Sequence, residues 1–213
     1  MTRVRFIVTA VKRRIAVVAY LKQHIPGLEV VWDSSGKCIG GYVKALAQAG
    51  DDPFVLLEDD ILLTQDFYSK ITYEIAARPN DVIQFHSRSG RDRLVGSRYN
   101  PPRQFLNHQC VYFPAGMAAK ILAFSKQDAY TDWASPRSFS DVLTQDFLSQ
   151  NRIRYWVSIP SLVDHLPDVS MVNAKRSKTG IKRQARVFFD PESQGCPKAL
   201  WDKWQPLTAT DNA

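Results

Sequence analysis

The sequence is poor in cysteine. Its 213 residues contain only Cys38, Cys110 and Cys196, which lie far apart and include no Cys-x-x-Cys spacing. A disulfide framework needs an even and dense set of cysteines, and a thiolate zinc site needs closely spaced pairs. The sequence therefore argues against both, and we expect ordinary buried or half-buried thiols.

Long hydrophobic runs are also missing. No apolar run approaches the ~20 residues that a membrane-spanning helix needs. The first residues, MTRVRFIVTAVKRR, are too short and too basic after their apolar part for a secretory signal. We therefore expect a cytoplasmic protein with no membrane span.

Positive charge is in excess and unevenly spread. The chain has 28 Lys and Arg against 21 Asp and Glu, a formal net charge of +7. One cluster is AKRSKTGIKRQAR, residues 174–186. The other is an arginine-rich loop containing Arg88, Arg91, Arg93, Arg98 and Arg103. Such patches suit a polyanionic partner, and the alternative is a solvated basic face.

The first third of the chain alternates between two patterns. VRFIVTAV, LEVVWD and PFVLLEDD are short apolar runs typical of strands, and the segments between them carry apolar residues at helical spacing. Strands that alternate with helices predict βαβ units. We therefore predict an α/β fold, a single domain with a mostly parallel central sheet flanked by helices, whose ligands bind beyond the carboxyl ends of the strands.

Three consecutive carboxylates, Glu58, Asp59 and Asp60, follow the third predicted strand. Like charges this close repel one another and need a compensating cation. Mg²⁺ or Mn²⁺ is the simplest one, because both prefer oxygen ligands. Strand alternation predicts that Glu58 and Asp60 point one way and Asp59 the other. The alternative is an acidic loop in water, or one paired with the excess arginines.

Later motifs follow in a particular order. A small-residue helix is predicted at PAGMAAKIL, an acidic helix at SDVLTQDFL, and PSLVDH follows a predicted strand. With the opening β-α-β-α-β and the acidic motif LLEDDIL, this order resembles the glycosyltransferases of the GT-A type, especially small phage and bacterial members. The resemblance covers roughly residues 4–170.

The resemblance implies a fold and a domain plan. The fold would be a single GT-A, Rossmann-like domain over residues 1–170, with a nucleotide-sugar half at about 1–65 and an acceptor half at about 66–170. Residues 171–213 would be a basic C-terminal segment, a mobile loop or tail packing on the same domain. If the source is viral, the compartment would be the cytoplasm of the host cell.

The resemblance also implies a metal site and a donor site. In this family a strand-end acidic motif holds Mn²⁺ or Mg²⁺ against the diphosphate of a nucleotide sugar, here with a UDP-sugar favoured. The expected metal ligands are Asp60, His165 and, through water, Glu58. The residues expected around the donor are Asp33, Asp59, Lys44, Lys182 and Arg183.

A base for the acceptor hydroxyl is expected at the acidic helix, if the enzyme inverts configuration. By position in the family this is Asp141, with Asp146 as the second choice. Asp141 also suits a plain structural role, since a carboxylate at a helix start is favoured by the helix dipole. His86 and His108 could approach the acceptor or lie in the core.

The acceptor suggested by the resemblance to phage members is a 5-hydroxymethylpyrimidine in phage DNA. The five arginines of the loop, Arg88 to Arg103, would then contact its phosphates. The alternatives are a cell-envelope polysaccharide as acceptor, or a nucleic-acid-binding domain without catalysis. Against the last, the sequence has no paired-Cys finger, no aromatic RNP-like strands and no basic heptad helix. The oligomeric state, donor sugar and stereochemistry stay open.

Overall fold

The structure is a computed structural model that describes residues 3–34, 38–127, 130, 139–166 and 183–204. Its strands are β1 (Arg5–Ala10), β2 (Glu29–Trp32), β3 (Phe54–Glu58), β4 (Ile61–Leu63), β5 (Val82–Gln84), β6 (Arg98–Asn100), β7 (Cys110–Phe113), β8 (Tyr155–Val157) and β9 (Val163–His165). Its α-helices are α1 (Ile15–His24), α2 (Cys38–Ala49), α3 (Phe67–Ala77), α4 (Asp92–Val95), α5 (Met117–Phe124), α6 (Ser140–Gln150) and α7 (Lys198–Trp201).

Seven strands form one central sheet in the order β2-β1-β3-β7-β5-β8-β6. The pairs β1–β2, β1–β3 and β5–β8 are parallel, whereas β3–β7, β5–β7 and β6–β8 are antiparallel. β4 and β9 form a separate antiparallel ribbon. Strands from both predicted halves of the chain therefore belong to one sheet.

The α/β prediction is confirmed, but the sheet is mixed where a mostly parallel one was predicted. The five elements from β1 to β3 follow the predicted order, and β1, β2 and β3 are parallel. The difference arises at β7, which runs antiparallel between β3 and β5. Its apolar residues, CVYF, look the same in either direction, so the sequence pattern does not reveal its orientation.

Side chains that alternate along the strands fill two cores. Phe6, Val8 and Val55 point to the face covered by α1 and α3. Ile7 and Leu56 point to the opposite face, which is covered by α2, α5 and α6. Burial on both faces explains why β1 and β3 read as unbroken apolar runs.

The described part of the C-terminal segment, residues 183–204, packs on the same domain. The amide of Ser161 donates to the carbonyl of Val187 at 2.8 Å, and the amide of Glu192 donates to Leu63 at 2.8 Å. Its aromatic residue Phe188 packs on the core that contains α1. Among the described helices, none is both long and apolar enough to cross a membrane.

Candidate functional site

Several strands end at one edge of the central sheet. The directions of the strands place the carboxyl ends of β1, β2, β3, β5 and β8 at this edge, together with the start of the antiparallel β7. The predicted residues Asp33 and Glu58 stand at the ends of β2 and β3. His86 follows β5, and His108 precedes β7.

The β4–β9 ribbon brings Asp60 beside His165. Ile61 pairs with His165 in the ribbon, and the amide of Leu166 donates to the carbonyl of Asp60 at 2.8 Å. Nε2 of His165 consequently lies 3.2 Å from Oδ2 of Asp60. The two residues expected to be the direct metal ligands are thus adjacent in space.

Two atoms of this pair lack a hydrogen bond. Among the described residues, Oδ1 of Asp60 and Nε2 of His165 are buried and have no hydrogen-bonding partner. The contact between Nε2 and Oδ2 is close enough for an ion pair. Buried polar atoms without a partner are costly, so an arrangement that leaves two of them side by side suits a ligand.

Arg14 binds two of the three carboxylates. Its Nη1 atom lies 2.6 Å from Oδ1 of Asp59 and 3.1 Å from Oδ2 of Asp60. The amide of Val11 donates to Oδ2 of Asp59 at 2.7 Å. Burial raises the pKa of Asp59, and Arg14 opposes that shift.

These contacts correct one expectation about Asp59. It does not point away from Asp60, because β3 ends at Glu58 and strand alternation stops there. Both oxygens of Asp59 already accept hydrogen bonds from the ends of β1 and its following turn. Asp59 therefore anchors Arg14, and its expected contact with the donor stays a prediction.

Opposite environments surround Asp60 and Glu58. Burial opposes ionisation of Asp60, but the adjacent His165 and Arg14 outweigh it and lower the pKa well below its usual range. Burial raises the pKa of Glu58 well above its usual range, and nearby carboxylates add to that shift. Those carboxylates are, in decreasing order of effect, Asp60, Asp141 and Asp59. The pKa of Asp60 is therefore shifted toward the ionised form and that of Glu58 toward the protonated form.

Asp141 comes close enough to this edge to interact with two of its residues. It lies in the first turn of α6, and its negative charge raises the pKa of Glu58 and opposes the lowering of the pKa of His108. Asp146 does not join it. The hydroxyl of Tyr130 donates to Oδ2 of Asp146 at 2.7 Å, so Asp146 is held in a contact with Tyr130.

Two buried histidines complete the edge. Burial lowers the pKa of His86 to about 3, with His165 and Arg88 adding to the effect. Burial lowers the pKa of His108 to about 4. His108 packs against Tyr42, with 4.7 Å between the ring centroids. No ring nitrogen of either histidine makes a hydrogen bond of good geometry within the described ranges, although the main chain of Arg183 approaches His86.

Arg183 reaches the acidic site from the C-terminal segment. Its charge lowers the pKa of both Asp60 and Glu58. Its neighbour in the predicted donor set, Lys182, lies outside the described residues. The third predicted cation, Lys44, is exposed in the middle of α2. Its contact with the donor stays a prediction.

Asp33 lies against the start of α2. Its amide donates to the carbonyl of Ala10 at 2.7 Å, which joins the ends of β1 and β2. A Cβ atom added to Gly41 would lie 3.2 Å from Cβ of Asp33. Gly41 therefore lets α2 approach closely enough to cover the Asp33 side chain from one side.

Asp164, beside His165, is held by the C-terminal segment. Its Oδ1 accepts hydrogen bonds from the amides of His165 and Ala185, at 2.8 and 2.6 Å. Its Oδ2 accepts one from the indole of Trp204 at 2.8 Å. These contacts tie the ribbon that carries His165 to residues 183–204.

The loop arginines differ in their surroundings. Nη2 of Arg98 lies 2.8 Å from Oδ1 of the buried Asp92, and its contact with an acceptor stays a prediction. Arg93 is exposed and donates from Nε to the carbonyl of Arg186 at 3.4 Å. A cavity of about 590 Å³ is lined by the arginines of this region, namely Arg88, Arg91, Arg98, Arg103 and Arg186.

A divalent cation fits the Asp60–His165 pair as a site with few protein ligands. Within the described ranges, no group of three or more His, Cys, Asp or Glu side chains is placed to hold a metal. Mg²⁺ is commonly held by one or two carboxylates, with water and substrate phosphates completing its shell. Oδ1 of Asp60 and Nε2 of His165, for which the described residues provide no hydrogen bond, suit that kind of site.

Sequence reasoning missed several residues here. Arg14 stands in the run KRR and looks like a solvated cation, and Trp204 lies in a tail without periodicity. The sequence does contain a signal for Arg14, since three adjacent carboxylates call for a buried cation. No comparable signal was available for Trp204.

Comparisons with known proteins do not identify a function for this chain. No protein-family model matches the chain, and no curated protein matches it significantly. Among solved structures, the crystal structure of A197 from STIV is similar, with a TM-score of 0.49 and 11% sequence identity over 78% of this chain and 87% of that one.

Proposed function

We propose that the protein is a metal-dependent glycosyltransferase of the GT-A type, which moves a sugar from a nucleotide-sugar donor to a hydroxyl acceptor. One observation carries the proposal. Asp60 and His165, from distant parts of the chain, lie 3.2 Å apart at the carboxyl edge of the sheet, and each has a buried atom without a hydrogen bond among the described residues.

Asp60 and His165 would hold Mn²⁺ or Mg²⁺ with the diphosphate of the donor. The ion supplies Lewis-acid stabilisation of the negative charge that develops on the departing diphosphate. Asp60 suits this role because the neighbouring Arg14 lowers its pKa and does so without any charge on His165, which binds a metal as a neutral ring. Glu58 would contact the ion through water.

Arg14 and Arg183 balance the charge of the site. Arg14 holds Asp59 and contacts Asp60, so it fixes the orientation of the acidic turn. Arg183 acts on Asp60 and Glu58 from the C-terminal segment. A cation in that position would stabilise the departing diphosphate, and the loss of such a pre-organised charge costs about 3 kcal/mol of barrier.

The nucleoside of the donor would lie near Asp33. The end of β2, beside the start of α2, provides a carboxylate that can accept hydrogen bonds from ribose hydroxyls. We favour a UDP-sugar as the donor.

Asp141 would accept the proton of the acceptor hydroxyl. It is half-buried at the start of α6 and interacts electrostatically with Glu58 and His108. The proton passes from the hydroxyl to the carboxylate as the oxygen attacks the anomeric carbon and the bond from that carbon to the diphosphate breaks. Asp146 is less suited, since it accepts a hydrogen bond from Tyr130.

The acceptor that we favour is a 5-hydroxymethylpyrimidine in phage DNA. The arginines around the 590 Å³ cavity support an anionic acceptor near the site. A cell-envelope saccharide is the alternative acceptor. The same arginines favour one other function, a nucleic-acid-binding domain without catalysis, which would bind DNA but leave donors intact.

Release of nucleoside diphosphate tests the proposal. The protein would be incubated with a panel of nucleotide sugars, with Mn²⁺ or with EDTA, and the diphosphate product measured. We expect slow, Mn²⁺-dependent hydrolysis of one donor, which Asp60→Asn abolishes. Donors that all stay intact, in the presence of Mn²⁺ and hydroxymethylated DNA alike, would favour the binding-domain function.

A further inference from the structure

The cavity in the arginine-rich region combines residues from separate parts of the chain. Arg88 and Arg91 belong to the loop after β5, and Arg103 belongs to the short helical turn Pro102–Gln104. Arg186 comes from the C-terminal segment. The backbone amide of Arg186 donates to the carbonyl of Ser87 at 3.1 Å. The positive cavity is therefore formed by tertiary packing of separate segments, and its charges do not come from a single loop.

Among the described residues, the lining of the cavity carries charge of one sign only. The described residues that line it include five arginines and no carboxylate. The carboxylate that binds Arg98 belongs to Asp92, which is buried behind the lining. The side chains of Arg91 and Arg103 form no ion pair with any described residue. Guanidinium groups that share a cavity repel one another, and an anion with several charges would relieve that repulsion.

Guanidinium groups and hydroxyls suit a phosphate in particular. Arginine binds phosphate oxygens through paired N–H donors. The lining also includes the hydroxyl residues Ser87 and Ser89. The cavity volume of about 590 Å³ lies within the usual range of ~300–1,000 Å³ for ligand pockets. A cavity of this size has room for a small molecule or for one or two nucleotides. An intact duplex does not fit inside such a cavity.

The cavity adjoins the acidic site. Ser87 and Arg88, which line it, directly follow His86. His86 is close enough to Asp60 and His165 to interact electrostatically with both. A phosphate held in the cavity would therefore fix an attached group next to the place where the donor is expected.

We infer that the cavity lined by Arg88, Arg91, Arg103 and Arg186 binds a phosphate group of the acceptor, so that the acceptor is a phosphorylated molecule. The inference rests on the proposed function only in naming the ligand as the acceptor. The binding of a phosphate by the cavity does not depend on it. The phosphate is either a terminal monoester of a small molecule or a diester of single-stranded nucleic acid. In both cases the cavity is separate from the Asp60–His165 pair and needs no metal.

The experiment measures anion binding in EDTA, which removes metal-dependent donor binding. The probe is a fluorescein-labelled single-stranded DNA of about eight nucleotides, followed by polarisation at several salt concentrations. Inorganic pyrophosphate is titrated in a second arm, by calorimetry and as a competitor. The test variant is Arg91→Gln/Arg103→Gln, and the matched control is Lys120→Gln/Lys126→Gln, which removes two exposed charges from α5 and the turn after it.

We expect the test variant to bind about tenfold more weakly than the wild type. Its salt slope for the single-stranded probe should fall by about 1.4, which corresponds to two lost phosphate contacts. The control should resemble the wild type. Binding and competition by pyrophosphate would identify a compact phosphate as the ligand, and binding of the oligonucleotide alone would identify a diester.

Two results would overturn the inference. One is binding of both probes in the millimolar range or weaker at 0.1 M salt, and the other is equal binding by the test variant and the wild type. Failure of the proposed function is a separate result, because Mn²⁺-dependent donor binding is measured on the same Arg91→Gln/Arg103→Gln variant and is expected to persist there.

Discussion

Arg14 and Asp59 form a buried ion pair that joins the ends of two neighbouring strands. Nη1 of Arg14 lies 2.6 Å from Oδ1 of Asp59, which is 45 residues later in the chain, and both side chains are more than 90% buried. The pair connects the turn after β1 to the acidic turn after β3. Its position explains how three consecutive carboxylates can end a buried strand.

Removal of Arg14 should destabilise the fold. Arg14→Met leaves Asp59 buried without its cation, and the loss of one partner of a buried pair costs about 3–5 kcal/mol. Urea denaturation measures the change. The control is Lys12→Met, an exposed cation of the same turn, which should change the free energy of unfolding by less than about 0.5 kcal/mol. Equal effects of the two substitutions would contradict a structural role for Arg14.

Trp204 should stabilise the ribbon that carries His165. Trp204→Phe keeps an aromatic ring but removes the N–H donor to Asp164. A buried carboxylate that loses a donor costs about 1–3 kcal/mol, which should appear in the free energy of unfolding. Trp201→Phe is the matched control, because Trp201 stacks on Trp204 with 5.7 Å between centroids. If Trp201→Phe is the more damaging of the two, the hydrogen bond to Asp164 is not the anchor.

Asp141 and Asp146 offer a direct comparison on one helix. Asp141→Asn should lower the rate of transfer by about 10²–10⁴-fold and leave donor binding intact, because it removes only the general base. Asp146→Asn should retain transfer, since its contact is with Tyr130. Rates are measured with saturating donor and a hydroxymethylated DNA acceptor. Loss of transfer in Asp146→Asn alone would reverse the assignment.

Stability should fall in mild acid because His108 is buried in its neutral form. Its pKa is lowered to about 4, whereas an unfolded histidine has a pKa of about 6.5. Between these values the unfolded state binds more protons than the folded state, so stability is lost as the pH falls. His108→Phe should reduce the slope of unfolding free energy against pH by up to about 1.4 kcal/mol per pH unit. Phe is suited because His108 packs against Tyr42 and Phe105.

The comparison that checks this prediction is the slope of the variant against that of the wild type between pH 4 and pH 6.5. His86, whose pKa is lowered to about 3, is present in both proteins. Its contribution to the slope of unfolding free energy against pH therefore cancels in the comparison. Identical slopes would mean that His108 is hydrated and charged in the folded protein.

The fold was predictable where the pattern is local. β1, β2 and β3 are buried on both faces and separated by amphipathic helices, and these features predict a parallel arrangement. The order of β7 between β3 and β5 was not predictable, because strand pairing depends on contacts between distant segments. The contacts that hold residues 183–204 were not predictable either, since these are individual backbone bonds and the indole of Trp204 instead of a periodic apolar face.

The candidate site was predictable as a set of residue types. Asp60, His165 and Asp141 were named from motifs, and the structure brings Asp60 and His165 into contact. The role of Asp59 was not predictable from alternation, because β3 ends one residue earlier. Arg14 and Arg186 reach their sites through tertiary packing, for which the sequence has no spacing rule.

The central claim is tested most directly by calorimetry of nucleotide-sugar binding, with Mn²⁺ and with EDTA. The proteins are the wild type, Asp60→Asn and Asp66→Asn. Asp66 is exposed and has a φ of 54°, which Asn adopts readily, so Asp66→Asn is a matched loss of one carboxylate. The account predicts Mn²⁺-dependent binding of one donor by the wild type and Asp66→Asn, and its loss in Asp60→Asn. Donor binding by Asp60→Asn with unchanged affinity and metal dependence would contradict it.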